Sequence, residues 1–244
     1  MNIIKLIFPL ALFSACHPAR KTDFSKVKSD HENRMALLKA MPDPLESRVA
    51  DSMKQWIGVF KDVYINDQKY RILSYAPTRD EWAKQRVLDS QNLNITSSYL
   101  DRYGWPTHAE IGFLGKRTVG LVIQHSSLKI QEKYYPLLVE AYKKDTALFE
   151  ILALMEDRIN MRNHRAQFYG SQVVSYHGKS VLYPVKNLDS IDTYRNNIGF
   201  KMPLADYLKL LNVSWNTDEY KQLLPNLAKE FKVSDTPGIH FVRW

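Results

Sequence analysis

Cysteine is almost missing from this chain: Cys16 stands alone among 244 residues. That excludes an intramolecular disulfide and any metal site built on paired cysteines. No five like charges follow one another, so there is no polybasic arm and no acidic tail. No apolar run approaches the roughly 20 residues of a membrane-spanning helix. The motifs HExxH and GxSxG and a phosphate-cradling glycine loop are also lacking, and with them the zinc-protease, α/β-hydrolase and P-loop chemistries. Neither a metal nor a cofactor is expected. Internal repeats and low-complexity tracts are absent as well.

What is present is ordinary for a globular protein: 45% hydrophobic and 25% charged residues, with 14 Tyr, 10 Phe and 5 Trp. The length suits one domain with a real core, preceded by a tether. A formal net charge of +8 reads first as a solvated lysine-rich surface, and otherwise as contact with an anionic partner. No nucleic-acid-binding module accompanies that charge, so nucleic acid is set aside in favour of an anionic component of the cell envelope.

The N-terminus gives the solitary cysteine a role. Met1 to Ala15 carries one charge, Lys5, then an apolar core from Leu6 to Phe13, and the segment closes Phe13-Ser14-Ala15-Cys16. This is a signal-type segment, too short to span a bilayer. A cysteine directly after small residues resembles the lipobox of bacterial lipoproteins, which implies lipidation of Cys16 as the first residue of the mature chain. Acyl chains of the palmitate type would anchor the protein to a membrane, each buried methylene contributing about 0.8 kcal/mol. His17, rather than aspartate, follows the cysteine, and the sorting rule of double-membraned bacteria then points to the outer membrane. The alternative is an ordinary secretory signal with an incidental cysteine. The expected organisation is a signal peptide over 1–15, a lipidated cysteine with tether and N-terminal helix over 16–43, and a single mainly helical domain over 44–244.

Periodicity supplies the elements. Phe24 to Met41 is weakly helical. Val49, Met53, Trp56, Ile57 and Phe60 keep helical spacing and favour a long helix over Leu45 to Leu73, ended by Pro77, against a hairpin of Val63-Tyr64-Ile65 with Tyr70 to Leu73. Thr78 and Glu81 form a capping box at the start of the next helix. Thr96 or Ser97 would cap a further short helix that Gly104 ends. Glu110 to His125 reads as a buried helix, with a strand over Val119 to Ile123 as the competing assignment. Leu128 to Lys144 and Leu148 to Ile159 carry helical stripes. Gln167 to Val174 and Ser180 to Val185 read as two strands. Helices over Asp189 to Asn197, Pro203 to Leu211 and Asp218 to Phe231 complete the chain. The predicted class is mainly α: a multi-helix domain with one β-hairpin between about Gln167 and Val185.

Polar residues recur at set places in these elements: Asp67-Gln68 with Arg71, Asp89 with Asn92, Tyr103-Gly104-Trp105-Pro106, Gln124-His125, Asp157-Arg158, and Gln167-x-Tyr169-Gly170-Ser171-Gln172. The ordered set, from roughly Leu45 to Leu211, resembles a bacterial family of unknown function whose members are mostly hypothetical proteins and lipoproteins, with the signature YGWP, QH, DR and QxYGTQ. Ser171 stands where that family has threonine. Asn163-His164 stands where it has glycine, so the turn there is expected to differ. The resemblance implies a domain and no activity.

Two roles fit the motifs. His125, with Asp157 or Asp67 as partner, has the make-up of a general base; it fits better still a core histidine satisfied by a carboxylate or carbonyl. Asp157-Arg158 would hold an anion or fix helix ends. On a strand, Gln167, Tyr169 and Ser171 would share one face. Trp105-Pro106 makes either a stacking platform or a buried corner. The candidate catalytic set is His125, Asp157 and Arg158. The candidate ligand-binding set is Asp67, Gln68, Arg71, Trp105, Gln124, Gln167, Tyr169 and Gln172. The sequence therefore supports a lipid-anchored binding or structural module first, and an extracytoplasmic hydrolase or transferase using His125 second.

Overall fold

A computed structural model describes residues 24–41, 51–72, 77–234 and 236–240. The signal segment, Cys16 and the tether up to Asp23 lie outside the described residues, as do Pro42 and Pro44. The elements in order are α1 (Phe24–Ala40), α2 (Asp51–Gln68), α3 (Arg79–Tyr103), α4 (His108–His125), α5 (Leu128–Lys144), a 3-10 turn (Thr146–Leu148), α6 (Phe149–Arg162), β1 (Val173–Tyr176), β2 (Lys179–Leu182), α7 (Ile191–Ile198), α8 (Leu204–Leu210) and α9 (Thr217–Glu230). Among the described residues the fold is mainly α with one antiparallel hairpin. Among the described residues no helix is long and apolar enough to cross a membrane.

Helix α2 is helical where its apolar spacing predicts, but it ends at Gln68, short of the expected Leu73; Tyr70 N donates to Gln85 Oε1 at 3.1 Å instead of continuing the helix. The capping box of α3 is formed: Glu81 N donates to Thr78 Oγ1 at 3.2 Å and Thr78 N to Glu81 Oε2 at 2.9 Å. The expected break at Thr96 or Ser97 does not occur. Neither glycine nor proline interrupts residues 79–103, and Thr96 is buried on the inner face with Asn92, Tyr99 and Leu100. Packing therefore carries one helix through a residue type that prefers caps. Helix α4 bends at Ile111 and Gly112, where Gly112 takes φ +70°.

The centre of the molecule is α6. Residues 151–160 are all buried, so this helix has no solvent face along that stretch. It packs on α4 and α5. Close approach of α4 requires Gly120, where a Cβ would lie 2.6 Å from Ile151 Cγ2.

The polar residues of α6 each hold a different part of the chain. Glu156 Oε1 accepts from the Tyr135 hydroxyl on α5 at 2.5 Å. Asp157 holds residues 168–171 (below). Arg158 Nη1 donates to Gln124 O on α4 at 3.3 Å. Asn160 pairs with the backbone of Ile239, donating to its carbonyl at 2.9 Å and accepting its N–H at 2.8 Å.

The hairpin is shorter than predicted. Its register pairs Val173 with Leu182 and Tyr176 with Lys179, and His177 (φ 47°) and Gly178 (φ 75°) make the two-residue turn. Positive φ at both turn residues matches the twist of the strands. Residues 167–172 do not extend β1, because the N–H groups of Phe168, Tyr169, Ser171 and Gln172 go to the side chains of Asp157 and Gln167. At the preceding turn, His164 adopts φ 54°, a left-handed conformation costly for a side-chain-bearing residue. Its Nδ1 lies 2.9 Å from Phe231 O.

Candidate functional site

Two polar clusters flank α4 and α6, and the candidate residues divide between them. The first is closed. Both oxygens of the Asp157 carboxylate accept backbone N–H groups: Phe168 N at 2.8 Å and Tyr169 N at 3.0 Å on Oδ1, Ser171 N at 2.9 Å on Oδ2. The loop can turn around the carboxylate because Gly170 takes φ +65°. Gln167 ties the loop to itself and to the hairpin, with Nε2 donating to Gln172 O at 2.9 Å and Tyr183 O at 2.7 Å while Oε1 accepts Gln172 N at 2.8 Å. Arg195, fully buried, donates to Tyr169 O at 2.6 Å and stacks on Phe200 and Tyr207. Burial raises the Asp157 carboxyl pKa, and the three backbone donors oppose it. Asp157, Gln167, Tyr169, Ser171 and Gln172 are each at 0% exposure, so the expected alternation of faces over residues 167–172 is replaced by a buried turn.

The second cluster is open. Asp67, near the end of α2, is 1% exposed, and its carboxylate is shared. Oδ1 lies 2.9 Å from His125 Nδ1 and 3.2 Å from Arg71 Nη1, and Oδ2 accepts from Gln68 Nε2 at 2.7 Å. Arg71 also forks onto Asp89 of α3, with Nη1 to Oδ1 at 2.8 Å and Nη2 to Oδ2 at 2.6 Å. Gln85 steadies the fork by donating to Asp89 Oδ1 at 2.8 Å and to Asn66 O at 3.1 Å. A partly open cavity of about 190 Å³ adjoins the cluster, lined by Asp67, Asp89, Ser90, Leu93, Val122, His125 and Ser126.

His125 stands where the two differ. Its Nδ1 is engaged by Asp67, while Nε2 has no hydrogen-bond partner among the described residues and the ring lines the cavity. Burial lowers the imidazole pKa, and Arg71 and Arg158 add to that against the pull of Asp67. For Asp67, burial pushes upward but His125, Arg71 and Gln68 outweigh it, and the net direction is down. The resting pair is then carboxylate and neutral imidazole, with the Nδ1 proton donated to Asp67 and the Nε2 lone pair left without a partner.

The helix end bearing His125 is anchored. Gln124 O accepts from Gln131 Nε2 at 2.7 Å and from Arg158 Nη1, and Ser126 O accepts from Arg162. The free carbonyls of a helix C-terminus need such donors, and cations suit that end of its dipole.

Of the sequence candidates, Asp67, Gln68, Arg71 and His125 come together at the cleft, and Arg158 sits behind it. Asp157, Gln167, Tyr169 and Gln172 belong to the closed cluster, and Asp157 makes no hydrogen bond to His125. Gln124 turns inward, with Nε2 3.5 Å from Ile151 O. Trp105 is 6% exposed and packs in the main core, which makes Trp105-Pro106 a buried corner. The cleft also uses Gln85, Asp89, Ser90 and Ser126, absent from the candidate set. Asp89 stands in the motif order, and Gln85 is four residues before it on one helix face; that spacing was the available signal. Among the described residues no three His, Cys, Asp or Glu side chains are grouped to hold a metal ion.

Fold and site together define a helical domain around a buried helix, with a histidine–aspartate pair at a small cleft. The model of the family of unknown function DUF6624 matches residues 64–219, and the chain belongs to that family. No curated protein and no solved structure matches it.

Proposed function

We propose that the protein is anchored in the bacterial cell envelope through lipid on Cys16 and that its cleft is an extracytoplasmic hydrolase or transferase site with His125 as general base. One observation carries the catalytic part: His125 is oriented by Asp67 through Nδ1 while Nε2 is left without a partner beside a cavity. In that geometry Nε2 takes the proton of a water or ligand hydroxyl, and Asp67 stabilises the imidazolium that forms. Such a base is worth about 10²–10⁴ in rate. Arg71 holds Asp67 and Asp89 in place and positions the pair. The anchor is supported by the position of the sole cysteine after Ser14-Ala15, with His17 favouring the outer membrane.

The second reading is a binding or structural module. It is favoured by the saturation of Asp67 and Asp89 with internal donors, as expected of a stabilising network. One experiment separates the two. The purified chain is screened against acyl esters, phosphate esters and glycosides, and His125→Gln is compared with wild type for turnover and thermal midpoint. Turnover lost with folding kept supports the base. A large drop in midpoint, with no turnover in either protein, supports the structural module.

A further inference from the structure

We infer that Arg158 and Arg162 form a binding site for a phosphate-type oxyanion beside the His125 cleft. The two arginines lie four apart on α6, on one face. Arg158 is 8% exposed, and its Nη1 donates to Gln124 O. Its Nε and Nη2 are shut off from solvent with no hydrogen-bond partner. Arg162 is half-buried and donates to Ser126 O. Neither guanidinium has an ion pair among the described residues. By contrast, Arg71, Lys116 and Arg117 all have carboxylates.

A buried cation without a counter-ion is costly, and a second one a turn away adds repulsion. Burial and the charges of Arg162 and Arg71 bear on Arg158 accordingly. Capping the end of α4 uses one donor of Arg158 and leaves the Nε–Nη2 edge over. That edge is the one that grips two oxygens of an oxyanion side-on. Asp67 and Asp89 together carry one charge more than Arg71, and the two unpaired arginines outweigh it. Arg162, the less buried of the two, keeps further donors, and the two guanidiniums together offer more hydrogen bonds than one carboxylate accepts, which suits a phosphate.

The pair meets the cleft through Gln124 and Ser126, the neighbours of His125. A ligand bound there would present its phosphate to the arginines and an adjacent group to Nε2. The link to chemistry rests on the general-base reading; the anion site rests on the arginines alone. Its ligand class is a phosphate ester, either a small molecule or a phospholipid headgroup.

The test is a titration of the ¹⁵N-labelled full chain in detergent with inorganic phosphate, following the arginine Nε–H and histidine imidazole signals. Saturable shifts at Arg158 and His125 are expected, with affinity at least about tenfold weaker in Arg158→Gln and in Arg162→Gln. Arg158→Gln is expected to keep or raise the thermal midpoint, since it removes an unpaired buried charge. A lowered midpoint in Arg158→Gln with phosphate binding unchanged would make the arginine a helix cap and overturn the inference, as would no saturable binding by the folded wild type. Displacement of phosphate by phosphatidylglycerol vesicles assigns the headgroup as ligand, and no displacement assigns a free phosphate ester; the site stands in both cases. His125→Gln separates this inference from the catalytic one: phosphate binding survives that change even if no turnover is ever found.

Discussion

The two polar clusters use the same residue types and do opposite things. Asp157 and Asp67 are both buried carboxylates on helices. Asp157 receives three backbone N–H groups from one loop and is sealed. Asp67 receives only side chains, from His125, Arg71 and Gln68, and one of them, His125, reaches a cavity. Backbone donors fix a chain segment in place; side-chain donors leave a group that can exchange protons. What distinguishes an architectural carboxylate from one that orients a base is therefore the kind of donor it collects and where the last atom of the chain of bonds faces.

That contrast is broken most directly at the closed cluster. Asp157→Ala would strand the N–H groups of Phe168, Tyr169 and Ser171 in the interior, each unsatisfied donor costing about 1–3 kcal/mol. A loss of roughly 3–5 kcal/mol is expected, read as a shift of the urea midpoint. A change below about 1 kcal/mol would show that the loop does not depend on the carboxylate. Next in size is Gly170→Ala. The residue takes φ +65°, and a Cβ would lie 2.7 Å from Leu204 Cδ1 and 2.9 Å from Ile191 Cδ1. Backbone strain and overpacking together predict a cost of about 2–4 kcal/mol. Gly178→Ala, also at positive φ but with open space around its Cβ, isolates the backbone part and should cost about 1–2 kcal/mol.

The same contrast marks where the sequence is readable. Local rules succeeded where the determinant is local: the Thr78–Glu81 box, the Asp67–Arg71 spacing, and the helical stripes of α5 and α6. They failed where a distant partner decides. Residues 167–172 look like a strand by alternation, yet their partner is a carboxylate on α6, ten or more residues away. Thr96 looks like a cap, yet burial against the core keeps it inside α3. The cleft was half legible: His125 and Asp67 stand out as polar residues in apolar segments, but their meeting across 58 residues, and the share taken by Gln85 and Asp89 from α3, are products of packing.

At the open cluster the expected effects on stability are smaller and those on chemistry larger. His125→Gln should cost about 1 kcal/mol, since Arg71 and Gln68 still satisfy Asp67, while removing about 10²–10⁴ in rate from any turnover found in the screen. Equal losses of stability in His125→Gln and Asp157→Ala would erase the distinction between the two clusters.

The finest probe is pH. Burial holds the His125 imidazole pKa below its ordinary 6.5, whereas the unfolded chain titrates near that value. Below about 6.5 the unfolded state therefore binds more protons than the fold does, and stability falls as pH falls. His125 contributes stability that is fully present above the unfolded pKa and is lost as pH drops through the folded one, with a slope of at most about 1.4 kcal/mol per pH unit. The Asp67 carboxyl, also depressed, loses its contribution only below its ordinary 3.8, while the Asp157 carboxyl, raised by burial, slopes the opposite way to histidine. His31 and His240 are lowered by burial too and slope the same way as His125, which is why the difference between wild type and His125→Gln is the quantity to measure. A shallower fall of the midpoint from pH 7 to 5 in the variant assigns that share to His125. Parallel curves would mean that the imidazole titrates in the fold as it does in the unfolded chain; a steeper fall in the variant would mean that it is already charged in the fold, and a charged imidazole cannot be the base.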